Sequence, residues 1–269
     1  MSPGTLVGVV GGSGFYSLLD GAAERVVDTP YGTPSAPVTV GTLAGRDVAF
    51  IPRHGVGHRF PPHLVPYRAN MWALRSLGVR QVLSLSAVGS LTTALPQGAM
   101  VVPEQLVDRT SGRPHTYFDG SIDGVGHASF ADPYCPGLRE AAASTQLAGG
   151  LGGALVVVNG PRFSSRAESL EFQSHGWSII GMTAMPEAAL ARELALCYAT
   201  LALVTDLDAG VEAGEGVTHA QVLETFAANL PRLRELLVAT IAAMPLTQDD
   251  SPCECAGAAA FHPTSFVLP

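Results

Sequence analysis

Short apolar, β-branched runs alternate with helix-period stretches along this chain, and that alternation allows few folds. Leu6–Val10, Pro37–Gly41, Val48–Pro52, Gln81–Ala87, Met100–Pro103, Ala154–Asn159, Trp177–Gly181 and Tyr198–Thr205 read as strands. Apolar residues at three- and four-residue steps predict helices over Leu64–Leu77, Ser165–His175, Pro186–Leu194 and Thr218–Met244. In the last of these, Val222, Phe226, Leu230, Leu233, Leu237 and Ile241 share one face, and Pro231 within the pattern predicts a kink. Strands separated by helices imply an α/β fold, with a mainly parallel or mixed sheet covered on both faces. Ligands then gather at the carboxyl ends of the strands.

A chain of 269 residues with 47% hydrophobic content can fill one large core, so a single domain is expected over residues 1–246. The segment 110–134, rich in Gly, His and Asp, reads as a long functional loop. The tail 247–269 is poorly patterned until its apolar end at Ser265–Leu268, which is expected to dock on a neighbouring subunit. A net charge of −8 with only 14% charged residues argues against a nucleic acid or an anionic membrane as partner and favours a small ligand. All 15 basic residues are arginine. Without lysine there is no P-loop cation and no Schiff base, so a phosphate must be held by Arg, hydroxyls and backbone N–H groups. The N-terminus lacks a basic region followed by a long apolar run, and a cytoplasmic location is expected. The four cysteines, Cys135, Cys197, Cys253 and Cys255, are too few and too irregular for a secreted disulfide framework. Cys253-Glu254-Cys255 reads as one pair without a second, which argues against a zinc site, and no metal is expected.

Four strand ends carry groups suited to an oxyanion. Gly11-Gly12-Ser13-Gly14 can offer amides and a hydroxyl, Arg53-His54 a guanidinium and an imidazole tunable near neutral pH, Ser86-Ala87 another hydroxyl, and Thr183 a third. Each alone is commonplace, and a tight turn or a surface pair explains it equally well. Together they make a shared phosphate site the more economical account. Asp206 and Asp208, two apart at the end of an apolar strand, project to one side. Two carboxylates so close push one pKa upward, which sets a protonated acid beside an ionised acceptor. A helix cap or a metal ligand is the alternative for this pair.

The motifs GVVGGSG (8–14), PRHGVGH (52–58), YRANMWAL (67–74), SAVGSL (86–91), DRTSGRPHTYFDG (108–120), NGPRFSSRAES (159–169), MTAMPEAALARE (182–193) and VTDLDAG (204–210) together resemble the purine nucleoside phosphorylase family in its 5′-methylthioadenosine phosphorylase branch. The resemblance covers all but part of the C-terminal tail. It implies a single α/β domain around a central distorted mixed β-sheet flanked by helices, assembled as a homotrimer with active sites at subunit boundaries. It also implies that Ser13, Arg53, His54, Ser86, the amide of Ala87 and Thr183 hold phosphate, and that Met182 lies against the ribose. Asp206 would meet purine N7 and Asp208 the 6-amino group, while Leu170 stands where the family commonly places a stacking Phe. Val222, Leu223 and His58 would line the pocket for the 5′-substituent, His219 would narrow or polarise it, and His127 and Val267 would come from the neighbouring subunit.

The resemblance further implies phosphorolysis of 5′-methylthioadenosine or a related 5′-substituted nucleoside, with phosphate as co-substrate and no cofactor. Proton donation from Asp206 requires a pKa well above the ordinary ~3.9 of an aspartate. A 6-oxopurine or methylthioinosine phosphorylase is the alternative within the enzyme class. A hydrolytic nucleosidase fits less well because four phosphate-type donors would serve no purpose. A non-catalytic nucleoside-binding protein is the alternative outside the enzyme class.

Overall fold

A computed structural model of the chain describes residues 6–11, 19–211 and 216–269. Its strands are β1 (Val7–Gly11), β2 (Asp20–Arg25), β3 (Val38–Leu43), β4 (Arg46–Pro52), β5 (Gln81–Ser90), β6 (Met100–Val102), β7 (Gln105–Arg109), β8 (Gly150–Leu151), β9 (Ala154–Val158), β10 (Ile179–Gly181) and β11 (Cys197–Leu207). Its helices are α1 (Tyr67–Ser76), α2 (Pro136–Ser144), α3 (Arg166–Ser174), α4 (Ala184–Glu193) and α5 (His219–Ala243). All eight strand runs and all four helical stretches read from sequence are present. Helix α5 is unbroken, with Pro231 inside it. Missed were the helix α2 and the strands β2, β7 and β8, of which β2 is an exposed edge strand and β8 only two residues long.

The sheet is mixed and branches at β5. Along one side β5 pairs in parallel with β11 from Gln81 to Ser90. Along the other it pairs in parallel with β1 only over Gln81–Ser84, then antiparallel with β10 over Gly89 and Ser90. Among the described residues, 85–88 therefore have no strand neighbour on that side, a point where the direction of the sheet changes.

Side-chain alternation covers both faces. Leu83, Leu85, Ala199, Leu201 and Leu203 pack with Leu233, Leu237 and Ile241 of α5 and Leu138 of α2. Val82 and Tyr198 face the opposite way, toward Met71 and Leu74 of α1 and Ala188 and Leu190 of α4. Among the described residues no helix is long and apolar enough to cross a membrane.

The stretch between β7 and α2 has no regular structure but is well anchored, with Tyr117 wholly buried. Its ring packs with Tyr31, Trp72 and Phe266. Phe266 anchors the tail on its own chain, while Val267 beside it stays exposed. Burial of a phenylalanine is worth ~1.5–3 kcal/mol, enough to hold a short tail.

The cysteine expectation is corrected. Folding brings Cys135, ahead of α2, and Cys197, at the start of β11, against Cys253 and Cys255, and the four sulfurs lie within 4.8 Å of one another. The second pair was invisible in sequence because long stretches of chain separate its members.

Candidate active site

A cavity of about 560 Å³ opens where β5 changes neighbours from β1 to β10, within the size range of small-molecule sites. Its wall includes Arg53, His54, His58, Ser86, Ala87, Met182, Thr183, Asp206, Asp208, His219 and Val222.

The edge of β5 explains why the floor suits an anion. Leu85 O points off the sheet to accept from Arg53 Nη1 at 2.9 Å. Backbone groups of a strand alternate sides, so Ala87, two residues on, turns its amide N–H toward the same edge. The hydroxyl of Ser86 is buried without a hydrogen-bond partner among the described residues. Thr183 occupies the N-cap of α4, yet its side chain makes no capping bond. Among the described residues these two hydroxyls and the amide are thus available to a ligand, and leaving such groups unmet when buried costs ~1–3 kcal/mol each. Ser13 lies outside the described residues.

Arg53 is 3% exposed and is gripped by Glu187, with Nε to Oε2 at 2.8 Å and Nη2 to Oε1 at 2.9 Å. Ser84 and Tyr198 donate to the same Oε1 at 2.8 and 2.9 Å. Burial works against the charge of Arg53, but Glu187 outweighs it and the net effect is to raise the pKa. Its Nη1 carries a second hydrogen with no partner among the described residues, and that hydrogen is free for an oxyanion.

His54 corrects one expectation. A carbonyl can only accept, so the 2.8 Å contact of Nδ1 with Phe60 O puts the ring proton on Nδ1. Burial, and then the charge of Arg53, lowers its pKa to about 4. The imidazole is therefore neutral rather than tunable near neutral pH, and Nε2 is an acceptor, suited to a protonated phosphate oxygen. It stacks on His58 at 4.1 Å. Burial and the neighbouring His219 also lower the pKa of His58.

The two aspartates sit where β11 leaves the sheet. Its register slips between Val204 and Asp206, a bulge that re-aims the strand end toward the cavity. Gly89 lies opposite, and a Cβ there would come 2.9 Å from Asp206 Oδ1 and 3.0 Å from Ile180 Cγ2, so only glycine admits the carboxylate. Burial raises the pKa of Asp206 to about 6, with a smaller push from Asp208 and opposition from the Thr205 hydroxyl at 2.8 Å. Burial also raises that of Asp208, against the hydroxyls of Ser169 and Ser164. Asp208 Oδ2 is buried without a hydrogen-bond partner among the described residues.

Two residues expected at the cavity, Leu170 and Leu223, do not line it. Leu170 on α3 is 50% exposed, and Phe163 supplies the aromatic wall in its place. Leu223 is 55% exposed, because one step along α5 from Val222 turns the side chain about 100° away. His127 and Val267 are exposed on the surface of their own chain.

Arg113 was missed. Buried, it donates to Met182 O, Met185 O, Val158 O and Asn159 O at 2.8, 2.5, 3.3 and 2.7 Å. It clamps together the two turns that carry Met182, Thr183 and Phe163. Its signal was the arginine of GRPH inside the unpatterned loop.

Residues 6–242 match the model of the phosphorylase superfamily. A purine nucleoside phosphorylase of Streptomyces coelicolor is 56% identical over 263 residues, 93% of each chain. An S-methyl-5′-thioadenosine phosphorylase of Mycolicibacterium smegmatis is 56% identical over 250 residues, 92% of this chain and 95% of its own. Among solved structures, a methylthioadenosine phosphorylase from an antarctic soil metagenomic library superposes with a TM-score of 0.81 at 37% identity over 97% of this chain and 99% of its own. A variant of the adenosine/methylthioadenosine phosphorylase of Schistosoma mansoni in complex with adenine gives 0.83 at 38% over 88% and 91%.

Proposed function

The chain belongs to the phosphorylase superfamily, and on that footing we propose that it cleaves 5′-methylthioadenosine, or a related 5′-substituted 5′-deoxyadenosine, with inorganic phosphate. The products are adenine and a 5-substituted 5-deoxyribose 1-phosphate. One observation carries this reading: a single cavity holds both the unmet donors of Ser86, Thr183 and Arg53 and a carboxylate whose pKa lies at about 6.

As the C1′–N9 bond lengthens, its electron pair passes to the purine and positive charge develops on the sugar. Asp206 delivers a proton to N7, and a phosphate oxygen attacks C1′ to form the new C–O bond. Asp208, ionised, accepts from the 6-amino group and would repel the O6 of a 6-oxopurine. Atoms balance with phosphate alone as the second reactant. Val222, His58 and His219 form the wall offered to the 5′-group, and Met182 the wall offered to the ribose.

We further propose that the working site lies between subunits of a homotrimer; His127 and Val267 are exposed and do not line the cavity of their own chain, which leaves them available to a neighbour.

The test is release of free base from 5′-methylthioadenosine, methylthioinosine and inosine, each with and without phosphate. Phosphate-dependent adenine release is expected. Hypoxanthine release alone would reverse the roles given to the aspartates, and cleavage without phosphate would indicate a nucleosidase.

A further inference from the structure

Cys135, Cys197, Cys253 and Cys255 come from three separate parts of the chain, and their sulfurs all lie within 4.8 Å of one another. Three of them are buried and Cys253 is half-buried. The Cys197 and Cys253 sulfurs are 3.4 Å apart. A disulfide requires ~2.05 Å. Four sulfurs bonded at ~2.3 Å to one tetrahedral ion are about 3.8 Å apart along each edge. Disulfide pairing would draw the sulfurs together in twos and leave the remaining distances unconstrained, whereas one shared centre accounts for convergence of all four.

We propose that this cluster is a structural metal site for a thiophilic divalent ion of tetrahedral preference, zinc foremost. Binding converts four thiols and one zinc ion into a tetrathiolate complex and releases up to four protons, with no oxidant or reductant involved. The surroundings supply donors to the sulfurs. Gln248 Nε2 points at Cys197 Sγ from 3.5 Å, and Ser251 Oγ lies 3.7 Å from Cys135 Sγ. Such second contacts orient metal ligands and spread their charge. A surface hollow lined by Cys253 and Cys255, with Arg139, Arg192, Glu104, Asp132 and Glu254 around them, gives the ion a way in.

The ion would tie the segment after α5 to the start of β11 and to the N-terminus of α2. None of the four residues lines the nucleoside cavity, so the site is structural.

The test uses the full chain, purified under reducing conditions without chelator, with zinc measured per protein by elemental mass spectrometry. About one ion per chain is expected. Reduced, metal-free protein should also take up cobalt(II) with the intense sulfur-to-metal charge-transfer and visible bands of tetrahedral thiolate coordination, and zinc should displace it. Metal removal should lower Tm by roughly 5 °C or more. Cys253→Ser with Cys255→Ser should lose the cobalt spectrum while keeping phosphorolysis at low temperature. Two results overturn the proposal. One is reduced protein that binds neither ion. The other is thiols that resist alkylation in denaturant until a reductant, rather than a chelator, is added, which identifies disulfides.

Discussion

Glu187 holds Arg53 by two parallel hydrogen bonds of 2.8 and 2.9 Å, with both side chains almost wholly buried beneath the cavity floor. The guanidinium is thereby set in place before any anion arrives, with one Nη1 hydrogen left over. Removing one partner of a buried ion pair costs ~3–5 kcal/mol, because the other charge stays behind uncompensated. Glu187→Gln should therefore lower Tm markedly. It should also raise the KM for phosphate by about tenfold, equivalent to ~1.4 kcal/mol. Adenine affinity, measured by calorimetry, should change little. Equal loss of phosphate and adenine binding would mean that the pair supports the whole fold rather than the phosphate floor.

Asp206 titrates at about 6, so at pH 7 roughly a tenth of the molecules hold its proton. The sign follows directly. Protonated Asp206 is the active acid, so kcat/KM for adenine nucleosides should fall as pH rises through and above 6. Asp206→Asn should flatten that limb, lower the rate by about 10²–10⁴-fold, and move relative preference toward 6-oxopurines. An unchanged pH profile in the variant would assign the limb to another group.

His54 should remain neutral from about pH 5.5 to pH 8 in free enzyme, with its proton on Nδ1. Nitrogen-resolved NMR of the imidazole reads this directly. Saturating phosphate, an adjacent anion, should raise the pKa above its free value of about 4. A ring that is already charged at pH 7 without phosphate would contradict the burial argument.

Phe163 borders the cavity and Leu170 does not. Stacking of a base on an aromatic ring is worth ~1–3 kcal/mol. Phe163→Ala should accordingly raise the nucleoside KM by about 5- to 100-fold, while Leu170→Ala should leave it within about threefold. The reverse pattern in steady-state kinetics would return the stacking role to α3.

Eight of the strands were legible because each is a short apolar run, and four of the helices because their apolar residues recur with a helical period, whereas β2 is an exposed strand without such a run. The candidate phosphate residues Arg53, Ser86 and Thr183 were legible because each lies at the end of such a run. Contacts between distant segments were not. Nothing near Arg53 in sequence indicates Glu187, which is 134 positions away. Arg113 clamps carbonyls whose positions only the fold determines. The tautomer of His54 depends on the carbonyl of Phe60, six residues on, in a turn without periodicity. Leu170 and Leu223 failed for a different reason, because a residue-by-residue resemblance does not fix which way a helical side chain turns.

Strand β5 exchanges one neighbour for another, and the vacant edge between them is made of main chain. Side-chain substitution cannot erase the amide offered there, whereas every group proposed to meet the base or the 5′-substituent is a side chain carried on another segment. Variation can therefore retarget the nucleoside a descendant accepts while this main-chain part of the oxyanion seat passes unchanged from one specificity to the next.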